Sequence, residues 1–363
     1  MSASSPEYKK SANKKDTLHL MCFGKQKVQQ WAAYLSLVII TAILLSVFSI
    51  LSTSFHSTPQ PFVTAVKRPK KPVLVEETHG TTDYLINKLK QYGLWKIYPA
   101  QEVPRFFIES YPDDIHTVED IAIRKRVFFH SLLPHALFVR QDTLQKRNSL
   151  ESILGKIECS LEDINFDTGL DYESRCSWSD FLAEYEVSFI QKLCRKYRTT
   201  NAADLLERVD AVPTSIILAQ GAIESSWGSS RFAREGNNVF GMWTWKTSGI
   251  IPSRRDEGKS HKVKVYANIL ASVWAYHLTL NRLDSYDKFR QLRRYSDDPL
   301  VLAEGLTRYS ARGKEYVEEI KNIILANNLQ KYDSCRLSDP DTSGLYGPET
   351  KPTVGVEPAK ASL

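Results

Sequence analysis

Pro213 to Gly241 reads PTSIILAQGAIESSWGSSRFAREGNNVFG, and this stretch decides how the rest of the chain is read. Pro213 opens a run in which Ile216, Ile217, Gln220, Ile223 and Glu224 recur at helical spacing, and Trp227-Gly228 stops it. One carboxylate, Glu224, therefore falls in the last turn. The partial negative charge of a helix C-terminus disfavours an ionised side chain there, and Ile223 and Trp227 beside it supply desolvation. Those are the conditions under which a glutamate keeps its proton near neutral pH.

The chain has 363 residues, 42% hydrophobic and 25% charged, enough for one large domain or two small ones with a substantial core. Its net charge is +6, but the basic residues are interspersed with acids and accompany no nucleic-acid-binding signature, so nucleic acid is not an expected partner. Trp31 to Leu51 (WAAYLSLVIITAILLSVFSIL) is uncharged and as long as the ~20 residues a membrane-crossing helix needs. Lysines 9, 10, 14, 15, 25 and 27 precede it, whereas Ser52 to Val66 carries no charge, which puts the N-terminus in the cytoplasm. The run is longer than the ~7–15 residue core of a cleavable signal and lacks an A-x-A site, so an uncleaved anchor is expected. Cys159, Cys176, Cys194 and Cys335 would then sit in a compartment that permits disulfides, with three pairings open.

Residues 1–30 read as a cytoplasmic tail, 31–51 as the transmembrane helix and 52–80 as a proline- and lysine-rich linker. An N-terminal helical part follows over 81–200. It includes a short helix from Asp83 to Tyr92, an amphipathic helix after a Thr117/Asp120 capping pattern and another after Ser177/Asp180, with 141–176 read as mixed helix and loop. Residues 201–335 form the segment around Glu224. In it a β signal appears once, where Met242–Trp245 and Lys262–Tyr266 flank a polar tip as a hairpin, and helices resume over Ile269–Arg282 and Glu315–Asn328. From 336 to 363 the composition predicts disorder. The fold class expected is α+β and mainly α, a helical domain with a small hairpin lobe preceded by one transmembrane helix.

No dinucleotide, Walker, serine-elbow or HExxH pattern occurs, and the eight histidines have no ligand spacing, so no metal and no cofactor are expected. Glycoside cleavage, by contrast, needs a carboxylic acid whose pKa is raised, the situation already described for Glu224.

Leu205 to Trp243 closely resembles the glucosaminidase domain of bacterial cell-wall hydrolases, glycoside hydrolase family 73, and its Bax-type members most. The matching pieces are Val212-Pro213, Ala219-Gln220, Glu224-Ser225-x-Trp227-Gly228, Ser230-Arg231-Phe232-Ala233 and Asn237-Asn238-x-Phe240-Gly241. Pro252-Ser253-Arg254-Arg255, the strand ending in Tyr266, Ala271-Ser272-Val273-x-Ala275-Tyr276 and Tyr309-Ser310-x-Arg312-Gly313-x-x-Tyr316 continue it, so the likeness covers roughly 100–335. It implies a lysozyme-like fold and hydrolysis of the β-1,4 bond after N-acetylglucosamine in peptidoglycan, in the periplasm at the inner membrane. Glu224 matches the family's general acid. The second carboxylate is expected in the hairpin tip, Glu257 ahead of Asp256, and assistance by the substrate's own 2-acetamido group remains the alternative. Tyr309 matches a tyrosine expected beside the scissile bond.

Trp227, Phe240, Trp243, Trp245 and Tyr266 gather aromatic faces of the kind that stack on sugars, although Trp227 and Phe240 fit core packing equally well. Asn237 and Asn238 fit acetamido contacts or turn-making. A lytic transglycosylase of the same fold, and a catalytically idle wall-binding or scaffolding module, are the competing readings.

Overall fold

A computed structural model describes residues 80–167, 177–245, 249–253, 258 and 260–339, together with the backbone of the strand at 74–75. The helices in chain order are α1 (Thr82–Gln91), α2 (Ile121–Leu154), α3 (Glu184–Tyr197), α4 (Ala202–Arg208), α5 (Thr214–Ser225), α6 (Arg231–Gly236), α7 (Ile269–Arg282), α8 (Asp287–Arg293), α9 (Pro299–Leu302) and α10 (Lys314–Ala326). Strands are short: β1 (Leu74–Val75), β2 (Glu102–Val103), β3 (Phe107–Ile108), β4 (Trp243–Thr244), β5 (Gly249–Ile250), β6 (Lys262–Lys264) and β7 (Arg336–Leu337). The fold is thus α+β and mainly helical.

α5 runs through the middle of the larger core. Every residue from Thr214 to Ala222 is buried, so the helix has no polar face, as a helix packed on all sides requires. Pro213 is its N-cap and offers no side-chain acceptor. Asp333 supplies one from far along the chain, accepting from the Ser215 amide at 2.8 Å and from its hydroxyl at 2.6 Å.

α2 crosses α5 and spans two cores. Val127 to Val139 are buried in the larger core, while Leu150, Ile153 and Leu154 join α3 and α4 in a second cluster around Phe166, Trp178 and Tyr197. Its cap is Asp120, whose carboxylate accepts from the Ala122 and Ile123 amides. The expectation of mixed helix and loop from residue 141 is corrected: α2 continues unbroken to Leu154, past Pro134. After Ser177, a single 3-10 turn (Trp178–Phe181) precedes α3, which starts later than the Ser177/Asp180 pattern implied.

The hairpin is a three-stranded antiparallel sheet. β6 lies in the centre, with Trp243 opposite Val263 on one side and Ile250 opposite Val263 on the other. Two parallel two-residue pairs, β1 with β3 and β2 with β7, were not expected. The second extends the described fold past residue 335, with Leu337 and Ser338 buried.

Among the described residues no helix is long and apolar enough to cross a membrane, and no group of histidine, cysteine, aspartate and glutamate side chains is arranged to hold a metal ion. The span expected at Trp31–Leu51 lies outside the described residues, as does Cys176. Cys159 is disulfide-bonded. Cys194 and Cys335 are buried free thiols, which removes both from the expected pairings.

Candidate active site

Glu224 sits one residue from the end of α5, half-buried. The helix stops there abruptly: Ser226, Trp227 and Gly228 take φ values of 50°, 61° and 79°, three consecutive left-handed residues. The turn is stitched by the Ser225 hydroxyl, which donates to the Gly221 carbonyl at 2.6 Å and accepts from the Gly228 amide at 2.8 Å. Left-handed backbone costs about 1–2 kcal/mol per non-glycine residue, so this stop is held by its surroundings.

The two carboxyl oxygens of Glu224 have different environments. Oε1 accepts from the Tyr316 hydroxyl at 2.8 Å. That hydroxyl accepts from Gln220 Nε2 at 3.0 Å, and the Gln220 carbonyl oxygen accepts from the Tyr276 hydroxyl at 2.5 Å. Gln220, Tyr276 and Tyr316 are fully buried, and the relay ties α5, α7 and α10 together behind the acid. Oε2 faces Gly241 (φ +64°), where a Cβ would lie 3.0 Å from it. Because Oε1 is engaged as an acceptor, the acid form carries its proton on Oε2.

Burial raises the Glu224 carboxyl above the ordinary glutamate range. The Tyr316 hydrogen bond and the Arg312 charge pull it back, and the like charge of Glu319 adds to the rise. Arg312 itself pairs with Glu319 at 2.6 Å and lies over the Tyr316 ring. Neither Tyr316 nor Glu319 was singled out from sequence as part of the site. The signal lay in the Tyr309-Ser310-x-Arg312-Gly313-x-x-Tyr316 block, where Tyr316 reads as the first residue of an apolar stripe.

Tyr309 is close but turned elsewhere. Its ring stacks parallel on Tyr316 with centroids 5.7 Å apart, and its hydroxyl donates to the Phe240 carbonyl at 2.9 Å. Burial holds that phenol protonated.

The expected sugar-contacting residues divide. Phe240 is buried and stacked on Tyr276 at 4.1 Å. Trp227 packs edge-on against Phe128 and Phe129. Asn238 is buried, with its amide nitrogen donating to the Met242 and Lys264 carbonyls and its oxygen accepting from the Met242 amide, which fixes the sheet to the end of α6. Asn237 is the left-handed cap of α6 and donates to the Tyr266 carbonyl, and Tyr266 is buried. All five occupy packing or turn positions. Trp243, 50% exposed and against the His261 ring, and Trp245, 69% exposed, present free aromatic surface. Asp256 and Glu257 lie outside the described residues.

A half-buried carboxylic acid at a helix end, one oxygen fixed by a phenol and the other facing a glycine, is an arrangement suited to glycoside cleavage. Residues 199–329 match the glucosaminidase family described as mannosyl-glycoprotein endo-beta-N-acetylglucosaminidase. It is 28% identical to Protein bax of Escherichia coli (strain K12) over 250 residues, 67% of this chain and 84% of that protein. It is 32% identical to the peptidoglycan hydrolase FlgJ of Salmonella typhimurium over 102 residues, 24% of this chain and 32% of FlgJ. Among solved structures it is similar to the catalytic domain of the Listeria monocytogenes autolysin Auto (23% identity, 39% of this chain, 80% of that chain, TM-score 0.26). It is also similar to a C-terminally truncated FlgJ glycoside hydrolase domain (21%, 38% and 97%, TM-score 0.27).

Proposed function

We propose that the chain hydrolyses the β-1,4 glycosidic bond after N-acetylglucosamine in peptidoglycan, with Glu224 as general acid. The observation that carries this reading is the asymmetry of the Glu224 carboxyl. Tyr316 holds Oε1, burial raises the carboxyl's pKa, and Gly241 leaves Oε2 free of any side chain on that flank. The Oε2 proton passes to the glycosidic oxygen as the bond to the anomeric carbon breaks, and the electron pair leaves with that oxygen. The developing positive charge at the anomeric carbon is met by the ionising carboxylate, and water adds there with loss of a proton. The base for that water is Glu257 or Asp256, or the acetamido oxygen supplies the opposing electrons. Trp243 and Trp245 offer stacking faces for the sugar rings.

The uncharged run Trp31–Leu51 and the lysines before it support a single-pass inner-membrane anchor, with the enzyme in the periplasm and the 52–80 linker as a stalk. Digestion of purified peptidoglycan by the full chain, followed by product mass analysis, tests the reaction. Reducing N-acetylglucosamine ends support it, and 1,6-anhydro-muramyl ends replace it with the transglycosylase reading. Unchanged muropeptide release by Glu224→Gln would remove Glu224 from the role. Membrane fractionation with and without Trp31–Leu51 tests the anchor.

A further inference from the structure

A hollow of about 560 Å³ opens beside the first turns of α2, and its wall carries Trp95, Lys96, Lys125, Arg126, Lys331 and Tyr332 but no carboxylate. Among the described residues none of the four cations forms an ion pair. Each lies over an aromatic ring instead: Lys96 over Tyr98 at 5.2 Å, Lys125 over Trp227 at 4.7 Å, Arg126 over Trp95 at 5.0 Å and Lys331 over Tyr332 at 4.8 Å. Asp120, just before this end of α2, turns its carboxylate to the helix amides of Ala122 and Ile123 and is not among the lining residues. The field inside is accordingly positive. The buried His130, also on the wall, is pushed down to about 4 by burial and then by Lys331 and Arg126. Four uncompensated cations in a concave site concentrate anions there.

The hollow borders the turn that follows Glu224. Lys125 covers the face of Trp227, and that indole packs on Phe129, another wall residue. Trp227 follows Glu224 by three residues across the left-handed turn. We propose that the hollow is a subsite for the carboxylate-bearing peptide stems of the glycan, an inference that rests on the glucosaminidase reading of the Glu224 site. A stem of five residues reaches up to about 17 Å when extended. The aromatic rings between the cations suit a short peptide better than a lipid surface, which is met by a flat charged face.

The test compares two glycan substrates at low ionic strength, strands with intact stems and strands stripped by an amidase, using the full chain in detergent. The wild type is expected to cleave stem-bearing strands with a kcat/KM roughly fivefold higher, the scale of a few partly exposed ion pairs, and to lose the preference at high salt. Lys96→Gln/Lys331→Gln is expected to cleave both substrates alike, at the wild-type rate for stripped strands. A wild type without preference, or a double variant that keeps it, overturns the proposal. So does a variant whose preference is intact while its binding to phosphatidylglycerol vesicles is lost, since the ligand would then be lipid. Failure of the wild type to cut either substrate defeats the glucosaminidase reading instead. In that case calorimetric titration with L-Ala-γ-D-Glu-meso-diaminopimelate decides the subsite, with equal binding by wild type and variant refuting it.

Discussion

Tyr316→Phe removes one oxygen and tests the core of the site. In the folded protein that hydroxyl donates to Glu224 Oε1 and accepts from Gln220 Nε2. Phenylalanine fills the same volume but leaves a fully buried amide donor without its partner, a loss of about 1–3 kcal/mol. At roughly 2–4 °C per kcal/mol for a domain of this size, a loss near 2 kcal/mol lowers the melting temperature by about 4–8 °C. The effect on chemistry has two parts. The carboxyl loses the group that orients it, and kcat is expected to fall roughly ten- to a hundredfold. The Tyr316 bond also favours the ionised carboxylate and so opposes desolvation, and without it the Glu224 pKa rises further. A general acid is lost as pH rises through its pKa, so the alkaline limb of kcat/KM on peptidoglycan is expected to move to higher pH in the variant. The assay is muropeptide release across pH, alongside thermal melting. An alkaline limb that stays in place, or moves to lower pH, would refute the assignment of Glu224 as the acid tuned by Tyr316.

Glu224→Gln is expected to abolish glycan cleavage and to raise the melting temperature at neutral pH. The folded state raises this carboxyl's pKa, so the stability it contributes is full below the unfolded pKa and is lost as pH rises through the folded value. The variant's advantage should close as pH falls to the ordinary carboxylate range, and an advantage unchanged with pH would contradict the burial argument. Gly241→Ala puts a methyl group 3.0 Å from Oε2 on a left-handed backbone, so a loss of about 1–2 kcal/mol and a kcat about tenfold lower are expected. Destabilisation with full kcat would mean that Oε2 does not donate the proton. Gly305→Ala would set a Cβ 2.3 Å from the Phe289 Cα, where α8 packs against the 303–306 turn, and a loss of about 3 kcal/mol or more is expected in a melt. A wild-type melting temperature would show that this backbone crossing is looser.

The helices with one apolar stripe were legible in the sequence. Ile269–Arg282 has the boundaries its pattern gives, and of the stripe Tyr316, Ile320, Ile323 and Ile324 in α10 all are buried but Ile323, which is half-buried. α2 was legible only at its start, because Val127 to Val139 are buried all round and its second half serves another core, which leaves no stripe to follow. Two-residue strands such as β2 and β7 are too short to alternate. The carboxylate was readable from its place in a helix's last turn. Its partners were not, because Tyr316 and Gln220 look like ordinary members of buried helix faces until three helices bring their polar tips together. Asn238 and Phe240 show the converse: their motif marks the site's neighbourhood, while their side chains hold its frame.

The hydroxyl relay behind Glu224 bears on how the acid is recharged between turnovers. It runs through an amide, Gln220, which passes a proton on only by becoming an imidic acid, and the phenols on either side of it, Tyr316 and Tyr276, are held protonated by burial. The back of the site is therefore insulated. With Glu224 in the proposed role of acid, each proton given to a leaving sugar has to return through Oε2 at the Gly241 side, from the attacking water or from solvent entering as product departs.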